Sequence, residues 1–276
     1  MLIKTLKSAA RSLFSTGSPE KAEYPLELEE RLNLAHGRAP VERHLRILLD
    51  GVDIGGENFV DLFRRCLRQT GTAVTPFNTF QRFQTRHLIT QYFLDTLRVP
   101  GARAECGAYR GATALLLCHA WRSRDPQFRG NGLYLIDSFS GTSPSVEQDL
   151  IPVRGEDGKT QMEPFFPAGK SDVTPELVRS FFGEFPEVKI CPGWIPDVFS
   201  TLPEQQWAFV HLDLTIFEPT LASLEYFYPR LASGGVILCD GSVFCPGAER
   251  AWITFCTQRD IPYVVLGHRE AILIKT

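Results

Sequence analysis

Apolar positions in the N-terminal part of the chain recur at helical spacing. Phe59, Leu62, Phe63 and Cys66 share one face of a segment at 57–69, and Phe80, Phe83, His87, Leu88, Tyr92, Phe93 and Leu97 mark a longer helix at 79–97. Shorter helical patterns lie at 25–36 and 40–49, behind a Gly/Pro/Ser-rich linker at 15–24; a loop occupies 70–78. From residue 99 the pattern changes to short apolar runs alternating with amphipathic stretches. Strands are expected at 102–106, 133–137, 187–191, 207–213, 235–240, 262–266 and 270–275, and helices at 111–122, 174–183, 217–230 and 247–258. Such alternation predicts an α/β fold, a mostly parallel sheet with helices on both faces. Only Gly267, His268, Arg269 and Glu270 separate the last two strands. That gap is too short for a crossover, so the pair must be an antiparallel hairpin. Residues 1–98 read as a helical cap and lead-in and 99–276 as the α/β domain, because the N-terminal segments are too short to bury their apolar faces alone. The stretch 140–173 carries Pro144, Pro152, Gly155, Gly158, Pro164 and Pro167. It reads as a lid over the carboxyl edge of the sheet or as a mobile insertion.

Four expected strands end in an acid. Ala104-Glu105-Cys106-Gly107-Ala108-Tyr109-Arg110-Gly111 leaves a strand, turns on two glycines and enters a helix; Leu135-Ile136-Asp137, Val210-His211-Leu212-Asp213 and Val236-Ile237-Leu238-Cys239-Asp240 follow. Open α/β sheets seat ligands beyond the carboxyl ends of their strands. The Gly107-x-x-x-Gly111 spacing is not the GxGxxG of a dinucleotide fold, so pyrophosphate is not signalled. A seven-stranded, mostly parallel sheet closed by a hairpin is instead the Rossmann-like pattern of a class I methyltransferase, whose cofactor, S-adenosylmethionine, has no phosphate. Glu105 is placed for the cofactor's ammonium, and backbone N–H groups around Gly107, Tyr109 and Gly111 for its carboxylate. Asp137, with Ser138 beside it, is placed for the ribose hydroxyls. Either acid alone reads equally as a solvated strand end or helix cap. Trp194 stacks on adenine or is a core tryptophan; Arg110 pairs with a carboxylate or caps the turn. Thr75, in the loop before the long helix, is a further cofactor candidate. Asp213 is the best candidate to take a proton from an acceptor hydroxyl or to hold a metal. His211 shares its strand face and either orients Asp213 or is a satisfied histidine beneath the site.

The chain resembles the macrocin O-methyltransferase (TylF-like) family. The resemblance is carried by Glu105 to Gly111, by Leu135-Ile136-Asp137-Ser138-Phe139-Ser140-Gly141, and by His211-Leu212-Asp213 followed by Phe217-Glu218-Pro219-Thr220. Tyr226 to Gly235 and Cys245-Pro246-Gly247-Ala248 complete it, over roughly residues 72–276. It implies methyl transfer from S-adenosylmethionine to a hydroxyl on a sugar of a natural product or glycan, with magnesium held by Asp213 and Asp240. Thr215 and Gly241 stand where the family carries further acids, which argues for a weaker metal site, even with Ser242 as a further oxygen. A metal-independent methyltransferase and a catalytically silent S-adenosylmethionine-binding protein are the alternatives.

Composition narrows the partners. The 276 residues are 43% hydrophobic and 22% charged, with a net charge of −3, which supports a sizeable core and argues against nucleic acid. No apolar run is long enough to span a bilayer. The seven cysteines form no CxxC pair and several sit in apolar patterns, pointing to a reducing, cytoplasmic compartment. Residues 1–17 carry Lys4, Lys7 and Arg11, with Leu2, Leu6, Ala9 and Leu13 at helical spacing. They read as a membrane-surface or partner-binding helix, a targeting segment, or a helix packed on its own domain. A homo-oligomer is compatible with all of this.

Overall fold

The computed structural model describes residues 53–72, 79–155, 158–169, 171, 173–241, 245–266 and 270–276, the side chains of 79–82 excepted. The helical patterns at 25–36 and 40–49, the 1–17 stretch, the 15–24 linker, Thr75 and Ser242 lie outside the described residues.

A two-residue-stranded hairpin, β1 (Asp53–Ile54) and β2 (Glu57–Asn58), opens the described chain and turns on Gly55 and Gly56, both at positive φ. Helix α1 (Phe59–Thr70) follows directly; the Asn58 side chain accepts from Val60 N at 2.9 Å, and Gly71, left-handed at φ 62°, ends it. Helix α2 (Thr79–Asp95) leads into β3 (Ala102–Cys106), α3 (Ala112–Arg122) and β4 (Leu133–Asp137). Then come β5 (Leu150–Arg154), β6 (Thr160–Pro164), α4 (Pro175–Phe181), β7 (Lys189–Pro192) and β8 (Trp207–Leu212). The chain closes with α5 (Phe217–Arg230), β9 (Leu231–Cys239), α6 (Pro246–Arg259), β10 (Val264–Val265) and β11 (Ala271–Ile274).

Seven strands form one sheet in the order β10-β11-β9-β8-β3-β4-β7. The β4-β3-β8-β9 core and β7 are parallel, and β10 and β11 are antiparallel, as the short gap before residue 271 requires. The order reverses between β3 and β8, so the crevice beyond their carboxyl ends is the topological switch point. One face presents Leu135, Phe209, Val236, Leu238 and Ile272 to α2 and α3; Phe93 meets Phe209 edge-on at 5.4 Å. The other presents Ala104, Cys106, Ile136, Val210, Leu212 and Ile237 to α5 and α6, with Trp207 edge-on to Phe227 at 5.0 Å. α1 and α2 therefore bury their apolar residues against the sheet and α3, not against a core of their own.

Three expectations need correction. The 140–173 stretch is not structureless: β5 and β6 pair antiparallel within it, from Leu150↔Pro164 to Arg154↔Thr160, although its prolines and glycines read as loop. Strand β9 begins at Leu231 instead of 235, because Leu231 pairs with Trp207 before a bulge resets the register to Phe209↔Val236. The buried stripe of α2 also differs. Phe83 and Phe93 are buried as expected, but Thr85, Arg86, Ile89 and Thr90 complete the stripe, and Leu88, Tyr92 and Leu97 are only partly covered.

Candidate functional site

The parallel register sets Glu105 of β3 beside His211 of β8, on the sheet face that α2 covers. Both are buried, at 2% and 0% exposure, and His211 Nδ1 lies 3.1 Å from Glu105 Oε1. A carboxylate accepts, so Nδ1 is the donor in this bond. His211 Nε2, like Glu105 Oε2, has no hydrogen-bond partner among the described residues. Of the two readings of His211, the bond from Nδ1 to Glu105, set by the register across to β3, supports a histidine held beneath the site.

Asp213 and Asp240 follow the ends of β8 and β9, and Asp240 N donates to Leu212 O at 2.8 Å. Between their carboxylates stands Arg86 of α2. Its Nη1 donates to Asp240 Oδ2 at 2.7 Å and its Nη2 to Asp213 Oδ2 at 3.2 Å. The Arg86 and Asp240 side chains are 9% and 10% exposed, and Asp213 is more open at 34%. Burial works against the guanidinium charge, but Asp240 and then Asp213 outweigh it and raise its pKa above the ordinary arginine value. Sequence reasoning missed Arg86, since a lone arginine in an amphipathic helix reads as solvated. Its signal was spacing: residues 86, 89 and 93 fall on one helical stripe with two apolar members.

The turn after β3 is built against this site. Gly107 stands at φ 85°, and a Cβ there would lie 2.3 Å from Asp213 O; Gly111, at φ 78°, would meet the Phe182 ring at 2.8 Å. Both glycines are thus required by close approach of protein to protein, whatever else passes over the turn. Tyr109 N donates to Asp137 Oδ2 at 2.8 Å and Phe139 N to Oδ1 at 2.7 Å. Burial pushes the Asp137 carboxyl up, the two N–H donors pull it back, and Asp213 pushes it up again. Gly193 N, after β7, donates to Asp137 O at 2.9 Å. Trp194 next to it is 43% exposed and Tyr109 is 40% exposed, so the core-tryptophan alternative is excluded. An acid flanked by two open aromatic residues thus lies across the adjacent ends of β3, β4 and β7.

Two other candidates serve the framework. The Ser138 hydroxyl donates to Gly141 O at 2.9 Å and accepts from Ser140 N at 3.1 Å, shaping the turn beyond Asp137. Arg110 Nη1 donates to Thr70 O at 3.2 Å, tying the last turn of α1 to the turn after β3. Over the edge, Asp149 anchors the 140–173 segment. Its Oδ1 accepts from Phe217 N at 2.7 Å and its Oδ2 from Val146 N at 2.9 Å.

The row Tyr109–Asp137–Trp194 fits S-adenosylmethionine: an acid for the ribose, an aromatic face for adenine, and a first turn of α3 with no side-chain cap to compete for its N–H groups. Magnesium fits poorly. His211, Asp213 and Asp240 each offer one donor atom within 4.8 Å of one another. The third donor, however, is a nitrogen where magnesium takes oxygen, and both carboxylates already hold Arg86. Gly241, where the resemblance expects an acid, sits at φ 83°, a conformation that disfavours any side chain.

Residues 80–266 match the macrocin-O-methyltransferase (TylF) family. The chain belongs to that family. Among individual members, it is 29% identical over 167 residues to a demethyldecarbamoylnovobiocin O-methyltransferase of Streptomyces niveus, covering 59% of this chain and 61% of that one. It is 30% identical over 157 residues to an 8-demethyl-8-(2,3-dimethoxy-alpha-L-rhamnosyl)-tetracenomycin-C 4'-O-methyltransferase of Streptomyces olivaceus, covering 54% and 57%. The chain thus spans about 60% of the length of the curated relatives it matches. The O-methyltransferase NovP superposes with a TM-score of 0.55 at 22% identity over 76% of this chain and 87% of that one. That similarity establishes the class I fold of this family member. All seven cysteines are free thiols, and no helix among the described residues is long and apolar enough to cross a membrane.

Proposed function

We propose that this chain transfers a methyl group from S-adenosylmethionine to a hydroxyl of a sugar-containing natural product or glycan. The observation that carries the reading is the placement of the Tyr109–Asp137–Trp194 row against the open carboxylate of Asp213. Family membership supports the chemistry, and relatives named for methylating a rhamnosyl tetracenomycin and a novobiocin precursor support the acceptor class.

When bound, the cofactor supplies a methyl group on a sulfonium sulfur. The chain's own residues supply position and a proton acceptor. Asp137 offers ribose hydroxyls the remaining lone pairs of its two oxygens, whose orientation the N–H groups of Tyr109 and Phe139 fix. Trp194 and Tyr109, both exposed, lie at the same edge. Asp213 Oδ2 is held by Arg86, and no hydrogen bond reaches its Oδ1 from the described residues. Oδ1 is the atom assigned to accept the acceptor hydroxyl's proton, since Arg86 holds only Oδ2 and the Asp213 side chain is 34% exposed. Much of the rate then comes from alignment, which a rigid strand-end scaffold provides.

Calorimetric titration of the full chain with S-adenosylmethionine tests the first half. Asp137→Ala is expected to weaken binding by about ten-fold or more, the loss of hydrogen bonds to a charged group. A wild-type chain that gives no binding heat overturns the proposal. For the second half, transfer of a tritiated methyl group to a panel of aryl glycosides is expected to fall to background in Asp213→Asn.

A further inference from the structure

We infer that Arg86 takes the place of a divalent cation at the Asp213–Asp240 pair, so that the site works without metal. Its catalytic consequence rests on the methyl-transfer reading; the replacement of charge stands on the geometry alone.

Two carboxylates whose nearest donor atoms lie within 4.8 Å of each other and of His211 need a positive partner, because like charges at that separation destabilise the buried state. Arg86 meets the need with one nitrogen on each acid, at 2.7 and 3.2 Å. A planar guanidinium suits this bridging role, since its fork presents two N–H groups in fixed geometry. The side chain is placed for it by α2, where Ile89 and Phe93 pack on the sheet and Arg86 lies one turn nearer its carboxyl edge. Neighbouring Thr85 adds a second tether, donating to the buried Glu270 at 2.5 Å. A divalent ion at the same two oxygens would have to expel a buried arginine or sit against its charge. The surroundings conform to a one-plus partner. Gly241 offers no side-chain ligand, and Thr215 stands where a second acid is expected. His211 turns its donor nitrogen to Glu105. Arg86 is therefore a positioning residue: it fixes both carboxylates and leaves Asp213 Oδ1 to the acceptor.

The test is calorimetric titration of the full chain with Mn2+, alongside S-adenosylmethionine as a control. The wild type is expected to show no Mn2+ binding that depends on Asp240. Arg86→Ala is expected to gain Mn2+ affinity by about ten-fold or more, the scale on which changes around a metal alter its binding, and adding Asp240→Asn should abolish the gain. Arg86→Lys keeps the charge and should stay metal-free. Wild-type Mn2+ binding that Asp240→Asn removes would overturn the inference. That comparison decides the matter even if Arg86→Ala does not fold. Failure to bind S-adenosylmethionine would sink the proposed function alone, leaving the metal result to stand by itself.

Discussion

At Gly107 one missing methyl group holds two strand ends together. An added Cβ would lie 2.3 Å from Asp213 O, and the backbone there, at φ 85°, is itself unfavourable for a side chain. Gly107→Ala should therefore cost about 3 kcal/mol, the sum of a left-handed conformation and an overpacked contact. Urea denaturation measures it, and a loss below 1 kcal/mol would show that the turn relaxes away from β8. The residue was readable as important from sequence, but the local motif does not contain the contact that Gly107 makes within the fold. A glycine after a strand-end acid suggests a ligand passing close, whereas the approaching atom is the carbonyl of another strand end, 106 residues further along the chain. Long-range register of that kind is not encoded in a local motif. Asp137 is the opposite case: its role as the organiser of a strand-end turn follows from its position, and Tyr109 and Phe139 supply N–H donors from within the motifs that flank it.

Among elements, α2 and the β5–β6 segment carried the most that was hidden. The periodicity of α2 located a helix, yet it ranked Leu88, Tyr92 and Leu97 above Arg86 and Thr90 as the buried stripe. Hydrophobicity fails as a guide there because the surface opposite that turn of the helix is two carboxylates. The β5–β6 ribbon was obscured by prolines that an isolated two-stranded ribbon tolerates, since its outer edges need no ladder partner. Its attachment is specific: Asp149 receives two backbone N–H groups, and Arg250 Nη1 donates to Gln148 O. Asp149→Ala removes both charge-assisted bonds and should cost about 3 kcal/mol of anchoring. Limited proteolysis checks this, with cleavage expected to appear within 150–164 while the central strands stay intact. A cleavage rate unchanged from wild type would mean that Arg250 suffices to hold the segment.

Across the whole molecule, pH acts through a buried histidine at a helical junction. His119 of α3 sits between Arg65 of α1, 3.3 Å away, and Arg122, 3.1 Å away. Burial first, then the two arginines, push its pKa down to about 4 from an ordinary 6.5. The unfolded chain therefore binds a proton that the folded one refuses between pH 6.5 and 4, and stability falls as the solution is acidified through that window. Glu57 and Glu184, held below the usual 4.5 by Arg65 and Arg122, add losses of the same sign just below it. Asp137, raised above 3.8, opposes them: its contribution is fullest in acid and is lost as pH rises through its folded value. The net expectation is a drop of about 2 kcal/mol between pH 6.5 and 4 that His119→Gln reduces, read from urea midpoints at each pH. An unchanged slope in that variant would assign the acid sensitivity elsewhere. At this scale the sequence was most informative. The mostly parallel sheet, the closing hairpin and the row of strand-end acids follow from the alternation of short apolar runs with amphipathic stretches.

Arg86 gives the centre of this fold a property that dissolved ions lack. A cation carried on a helix arrives with every copy of the chain at a fixed ratio of one. Scarcity cannot deplete it, and a chelator cannot strip it. Since α2 also packs on the sheet, emptying that position means displacing a buried side chain held by two carboxylates, which makes the charge of the crevice an inherited quantity set at translation.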